Sequence, residues 1–225
     1  VQPLFVPYLL VPFTAAWLLY ERFALRERFE RRAWCMLLGA FALAALIVTP
    51  FYWPVLREQA SGQGAYLEEI GAVRFAADLL GVVAPSPANP VLNALGLVPA
   101  YAGRVAPPDW RIAELLTYAG IVPLSLSLLA LWSHRRRVGA WTLVALFAAV
   151  LSLGPLLKVN GQVVTFSADG VQSSVALPYA LLLKVPLLAL NRAPARINAT
   201  LMLALAVLAA YGLGWLLARV RRGWK

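Results

Sequence analysis

Apolar residues in this chain come in long unbroken runs, not at the spacing of a helix or strand that buries one face and wets the other. Five runs without a charge cover 3–20, 33–53, 115–132, 139–157 and 197–217. Each is close to the roughly 20 residues that cross about 30 Å of hydrocarbon at about 1.5 Å per residue. The pattern predicts an all-α membrane protein with five transmembrane helices and two long outer loops, which carry interfacial helices and have room for a short hairpin. Residues 1–53 hold two spans around a basic loop, and 54–114 the first outer loop. A transmembrane hairpin follows at 115–157, a second outer loop with a re-entrant or interfacial segment at 158–196, and the last span with a basic tail at 197–225.

Polar positions set the orientation. Arg22, Arg26, Arg28, Arg31 and Arg32, then Arg135, Arg136 and Arg137, then Arg219, Arg221, Arg222 and Lys225 crowd into the short connections and the tail, against only Glu21, Glu27 and Glu30. The long connections hold near-equal numbers of bases and acids. Short basic loops face the cytoplasm, so the long loops and Val1 face outward. Two other apolar stretches, 79–103 and 177–191, are kept out of the membrane by parity. The first also carries Pro85, Pro87, Pro90 and Pro99, and the second carries Lys184. An outward Val1 without a preceding Met leads us to expect a C-terminal portion of a longer bacterial inner-membrane protein.

Composition agrees. Of 225 residues, 61% are hydrophobic and 13% charged, against about 45–50% and about 25% in soluble domains. One cysteine, Cys35, and one histidine, His134, leave no disulfide framework and no soft-ligand metal cluster. The net charge of +10 reads as a topology signal, so nucleic acid is not an expected partner; the lipid bilayer is. No phosphate-loop, dinucleotide-fold or nucleophile-elbow pattern occurs.

Local signals furnish the outer loops. Leu67, Ile70, Val73, Ala77 and Leu80 repeat at helical spacing, predicting an amphipathic surface helix over 65–80 with Asp78 near its end. Asn89-Pro90 pairs a cap with a first-turn proline and starts a helix over 90–97. Gln162–Phe166 and Val171–Val175 flank Ser167-Ala168-Asp169-Gly170, a turn that closes a hairpin. Pro123 and Pro155 are expected to kink their helices, and Ala210 with Gly214 to admit a neighbouring helix.

Candidate chemistry is sparse. Asn191, Arg192 and Arg196 stand at the outer mouth of the last span, where guanidinium forks and free helix N–H groups suit a phosphate or diphosphate. The competing assignment has both arginines snorkelling to headgroups or pairing with Asp169 or Glu114. Lys184 is a further binding candidate, against a role as interfacial anchor. Asp78 is the weak catalytic candidate, able to act as a base or to bind a metal, against a solvated carboxylate at a helix end. No cofactor is implied, and a divalent metal in a full-length protein is left open.

Taken as a set, Ala77-Asp78-Leu79-Leu80 with Pro85-Ser86-Pro87, Leu153-Gly154-Pro155 with Val159-Asn160-Gly161, and Leu177-Pro178-Tyr179 through Asn191-Arg192-Ala193-Pro194-Ala195-Arg196 resemble the GT-C glycosyltransferases, particularly YfhO-like members. The resemblance covers roughly 76–217. It implies an inverting transferase that takes sugar from a polyprenyl-phosphate-linked donor on the outer face and passes it to an acceptor not yet identified. It also implies a catalytic acid in a first outer loop lying upstream of this chain, and places 191–196 against the donor phosphate or cavity wall. The other class in play is a non-catalytic protein that scaffolds or moves envelope lipids or glycans.

Overall fold

The computed structural model describes Thr14, Trp17, Leu18, Tyr20 and residues 31–61, 69–87, 89–105, 117–168, 171–184 and 193–223. The expected span at 3–20 lies almost wholly outside them.

Helix α1 runs from Arg31 to Ala60, continuous through Pro50 and Pro54. Its described apolar side chains are exposed, as Leu38, Leu46 and Phe51 are, a surface that is costly in water and ordinary in hydrocarbon. Short elements follow: α2 (Glu69–Arg74), a 3₁₀ turn at Leu79–Val82, α3 (Pro90–Ala94) and α4 (Ala102–Val105). Then come α5 (Ile121–Ser133) and α6 (Arg135–Ser152), a helical hairpin hinged at His134. Strands β1 (Lys158–Val159) and β2 (Gln162–Val163) form one antiparallel pair, and β3 (Thr165–Ala168) and β4 (Val171–Ser174) a second. Helix α7 (Tyr179–Leu182), a 3₁₀ turn at Pro194–Ile197 and α8 (Asn198–Gly223) end the fold.

The core is the junction of α5, α6 and α8. Val138, Val144, Ala148 and Leu151 of α6 meet Leu201, Ala204, Leu205 and Leu208 of α8, with Ala130 from α5. Small side chains let the helix backbones close in. The tightest approach is at Gly212, where any Cβ would overlap the Leu126 carbonyl. Ser127 Oγ adds polar glue, 2.7 Å from the Pro123 carbonyl and 3.2 Å from that of Leu205 across the interface.

Several expectations are corrected. Among the described residues two helices, not five, are long and apolar enough to cross a membrane: Trp34–Phe51 within α1, and Pro194–Arg221. Helix α5 has 13 residues, about 20 Å at about 1.5 Å each. Helix α6 has 18, but three arginines take its first turn and leave about 22 Å of apolar length. The two apolar runs were real, but their flanks unwind into loops that pack on the helix ends. The structure is also not all helix, since two small hairpins occupy 158–174. The surface helix expected over 65–80 stops at Arg74, because Ala76, Ala77 and Asp78 turn inward and are buried. Pro123 sits in the first turn of α5 and Pro155 lies beyond α6, so neither bends a helix.

Other local readings hold in part. Asn89 caps α3, its Oδ1 accepting from the Val91 and Leu92 N–H groups at 3.1 and 3.0 Å, though α3 ends at Ala94. Thr165 pairs with Ser174 and Ala168 with Val171, the hairpin foreseen around 167–170. Gln162 and Val163 instead pair back onto Val159 and Lys158.

Candidate functional site

Chain segments far apart in sequence converge where α6 ends and α8 begins. Beyond α6 the backbone reverses at Gly154, whose φ of +74° is the left-handed conformation that glycine adopts without strain after a helix. A Cβ there would lie 2.5 Å from the Ala76 Cβ and 3.4 Å from Pro194 Cγ, so three segments touch through one glycine. The Ala77 N–H donates to the Ser152 carbonyl at 2.9 Å, the Ala195 N–H to Phe75 at 3.1 Å, and the Leu177 N–H to Pro155 at 2.9 Å.

Asp78 closes this knot. Only 4% exposed, its Oδ1 accepts from the Leu80 N–H at 2.9 Å and the Asn160 N–H at 3.2 Å, and its Oδ2 from the Gly161 N–H at 2.7 Å. Asn160 and Gly161 join β1 to β2 with φ of +58° and +81°, the paired positive φ of a type I′ turn, for which Asn-Gly is the preferred sequence. That turn aims two successive N–H groups at one carboxylate. A Cβ on Gly161 would stand 2.6 Å from the Arg104 carbonyl oxygen, so the turn also packs on α4. Asp78 is thus a buried latch and not the solvated helix-end acid.

Lys158, at the start of β1, reaches over the same spot and donates to the Ala76 carbonyl at 3.3 Å. Burial holds its ammonium below the usual 10.5, while the nearby Asp78 carboxylate pulls the other way. Thr117, 1% exposed, completes the floor: its Oγ1 would be 2.5 Å from a Cβ on Gly81. Its hydroxyl and the Asn160 Oδ1 find no hydrogen-bond partner among the described residues.

Arg196 lies half-buried in the 3₁₀ turn that leads into α8, tied to the Asp78 knot through the Ala195 backbone. Asn198 and Thr200 follow in the first turn of α8. Both are buried, and the Asn198 Oδ1 and Thr200 Oγ1 find no hydrogen-bond partner among the described residues. Lys184 is exposed just beyond α7 and takes no part in the described hydrogen bonds around Asp78. Asn191 and Arg192 lie outside the described residues. Among those described, no three His, Cys, Asp or Glu side chains cluster as a metal site would need.

Sequence reasoning passed over Lys158, Thr117, Asn198 and Thr200. Asn160-Gly161 between apolar residues is a strong hairpin signal and locates the turn; nothing in the sequence says that its N–H groups meet Asp78. No family model, curated protein or solved structure matches this chain.

Proposed function

We propose that this chain is the membrane-embedded, cavity-forming part of a GT-C, YfhO-like glycosyltransferase that uses a polyprenyl-phosphate-linked sugar at the outer face of the bacterial cytoplasmic membrane. One observation carries the proposal. Of the stretches on which the resemblance rests, 77–80, 153–155, 159–161, 177–179 and 193–196 are scattered over some 120 residues yet converge on a single end of the bundle, while Pro85-Ser86-Pro87 makes none of these contacts and Asn191-Arg192 lies outside the described residues. A set of motifs that meets in space marks a site better than any member does alone.

In this proposal Arg196, with Arg192 beside it in sequence, takes the donor phosphate through charge-assisted hydrogen bonds. The Asn198 and Thr200 side chains accept from sugar hydroxyls. Asp78 is a positioning residue, because three backbone N–H groups already occupy its oxygens. The base that activates the acceptor is therefore assigned to another acid of the full-length protein. Orientation follows the arginines. The Asp78 knot sits at the Ser152 end of α6 and Arg135–Arg137 at the other, about 26 Å away at about 1.5 Å per residue. The knot then faces outward and the arginines face the cytoplasm.

The test is retention of a radiolabelled polyprenyl-phosphate sugar by the full-length protein. Arg196→Ala and Asn198→Ala should each weaken binding, the first by about 10-fold to 100-fold, the loss expected of a charge-assisted hydrogen bond. Arg196→Lys should recover part of the loss. Unchanged retention in both alanine variants, with normal expression, removes the donor-binding role. The scaffold alternative draws on the engagement of Asp78, and would be favoured by retention of the lipid-linked sugar without any transfer to an acceptor.

A further inference from the structure

At the arginine end of the bundle a cleft of about 760 Å³ opens between the His134 corner and the last turns of α8. Its floor is Ala210, Gly214 and Ala218, four apart on one helix face. A Cβ on Gly214 would meet nothing within 4 Å, so this small-residue face is a slot and not the helix contact; α5 presses on the opposite face at Gly212. Aromatic rings fix the walls. Trp132 stands edge-on to Trp215 with centroids 5.9 Å apart, His134 lies 6.1 Å from Tyr211, and the Arg219 guanidinium sits 5.2 Å over the Trp215 ring. A second cavity of about 380 Å³ shares His134 and is lined by Arg135, Arg136 and Arg137.

We propose that the two cavities form one binding site for an anionic phospholipid of the bilayer, with the phosphodiester on the arginines and an acyl chain in the slot over Gly214. Charge complementarity carries the choice of occupant. Among the described residues four arginines line the paired cavities and no acid does, a field that concentrates phosphate and repels a cationic partner. Guanidinium groups grip phosphate by paired hydrogen bonds, and Arg219 is held in place by its stacking on Trp215. Tryptophan and tyrosine occupy the headgroup boundary, where an amphipathic ring has one wet and one apolar side. The slot is open, more apolar than polar, and flanked in sequence by the exposed Leu213 and Leu217 of α8, so a chain can enter from the membrane. A free anion would satisfy the arginines and leave the slot unused. This site stands apart from the sugar site, at the other end of the bundle, and does not depend on it.

Native mass spectrometry of the full-length protein, given phosphatidylglycerol or phosphatidylcholine with identical acyl chains, tests the proposal. Phosphatidylglycerol should be retained with a preference of about tenfold or more. The triple variant Arg135→Gln, Arg136→Gln, Arg137→Gln should lose most of that preference while keeping residual binding of either lipid. Gly214→Leu, which fills the slot and leaves every charge, should lose both lipids, and Ala218→Leu on the exposed last turns gives the same readout if Gly214→Leu does not fold. Equal retention of the two lipids overturns the proposal. So does displacement of phosphatidylglycerol by millimolar inorganic phosphate, which would mark a small-anion site, or undiminished retention in both slot-filling variants.

Discussion

Without the buried Asp78 carboxylate, the N–H groups of Leu80, Asn160 and Gly161 lose a shared acceptor. Stranded donors of this kind cost about 1–3 kcal/mol each, relaxation reclaiming part, so Asp78→Ala should destabilise the full-length protein by about 2–4 kcal/mol, seen as a lower melting temperature in detergent. A change within about 0.5 kcal/mol would mean that the latch is not what holds the loops. Lys158 gives a pH signature. Burial makes it less basic in the fold than its usual 10.5, so the unfolded chain binds more protons between the lowered value and 10.5. Stability therefore rises with pH across that window and is least below it, where the ammonium is buried charged. Relative to Lys158→Met, the wild type should gain melting temperature through the alkaline range; parallel profiles would contradict this. Little of the cluster was legible in advance, because the fate of a carboxylate depends on its donors. Those of Asp78 come from Asn160 and Gly161, brought in by tertiary folding. Arg196 does stand at the entrance of α8, a position legible in advance because it is set by its nearest neighbours in sequence.

Helices were easier to foresee than the faces they use. Long apolar runs gave the existence of α1, α5, α6 and α8, and the Asn89-Pro90 cap gave the start of α3, since both depend on contiguous residues. Ala210 and Gly214 were expected to receive a neighbour, yet the neighbour packs at Gly212, half a turn round. A helix apolar on all sides carries no moment to say which face is buried. The consequence is a paired experiment. Gly212→Ala must push against the Leu126 carbonyl and should cost about 1–3 kcal/mol. Gly214→Ala enters open space and should be neutral or gain up to about 1 kcal/mol from helix propensity. Comparable losses in the two variants would put the helix contact elsewhere. Lengths misled for a related reason. Runs of apolar residues long enough to span continued into the turns around Gly120 and Gly154, whose positive φ values mark where α5 starts late and α6 has ended early.

Across the whole molecule, charge and polar chemistry separate to opposite ends. The hairpins, the Asp78 latch and Arg196 gather at one end of α6 and α8, and His134, Arg135–Arg137 and Arg219 at the other. Sequence alone anticipated this separation from the crowding of arginines in short connections, though it counted five spans where two helices meet the length and apolarity of a crossing. Both proposed sites need that polarity to lie across the bilayer, the sugar site outward and the lipid site inward. Sidedness is therefore the most direct test. In a full-length protein with exposed Cys35 replaced by serine, single cysteines are introduced at Ser173 in β4 and at Ser133 beside the arginine corner, and intact cells are treated with a membrane-impermeant thiol reagent. Labelling at Ser173 with protection at Ser133 until the cells are opened is the expected result; labelling at Ser133 with protection at Ser173, or equal labelling at both in intact cells, would contradict the account.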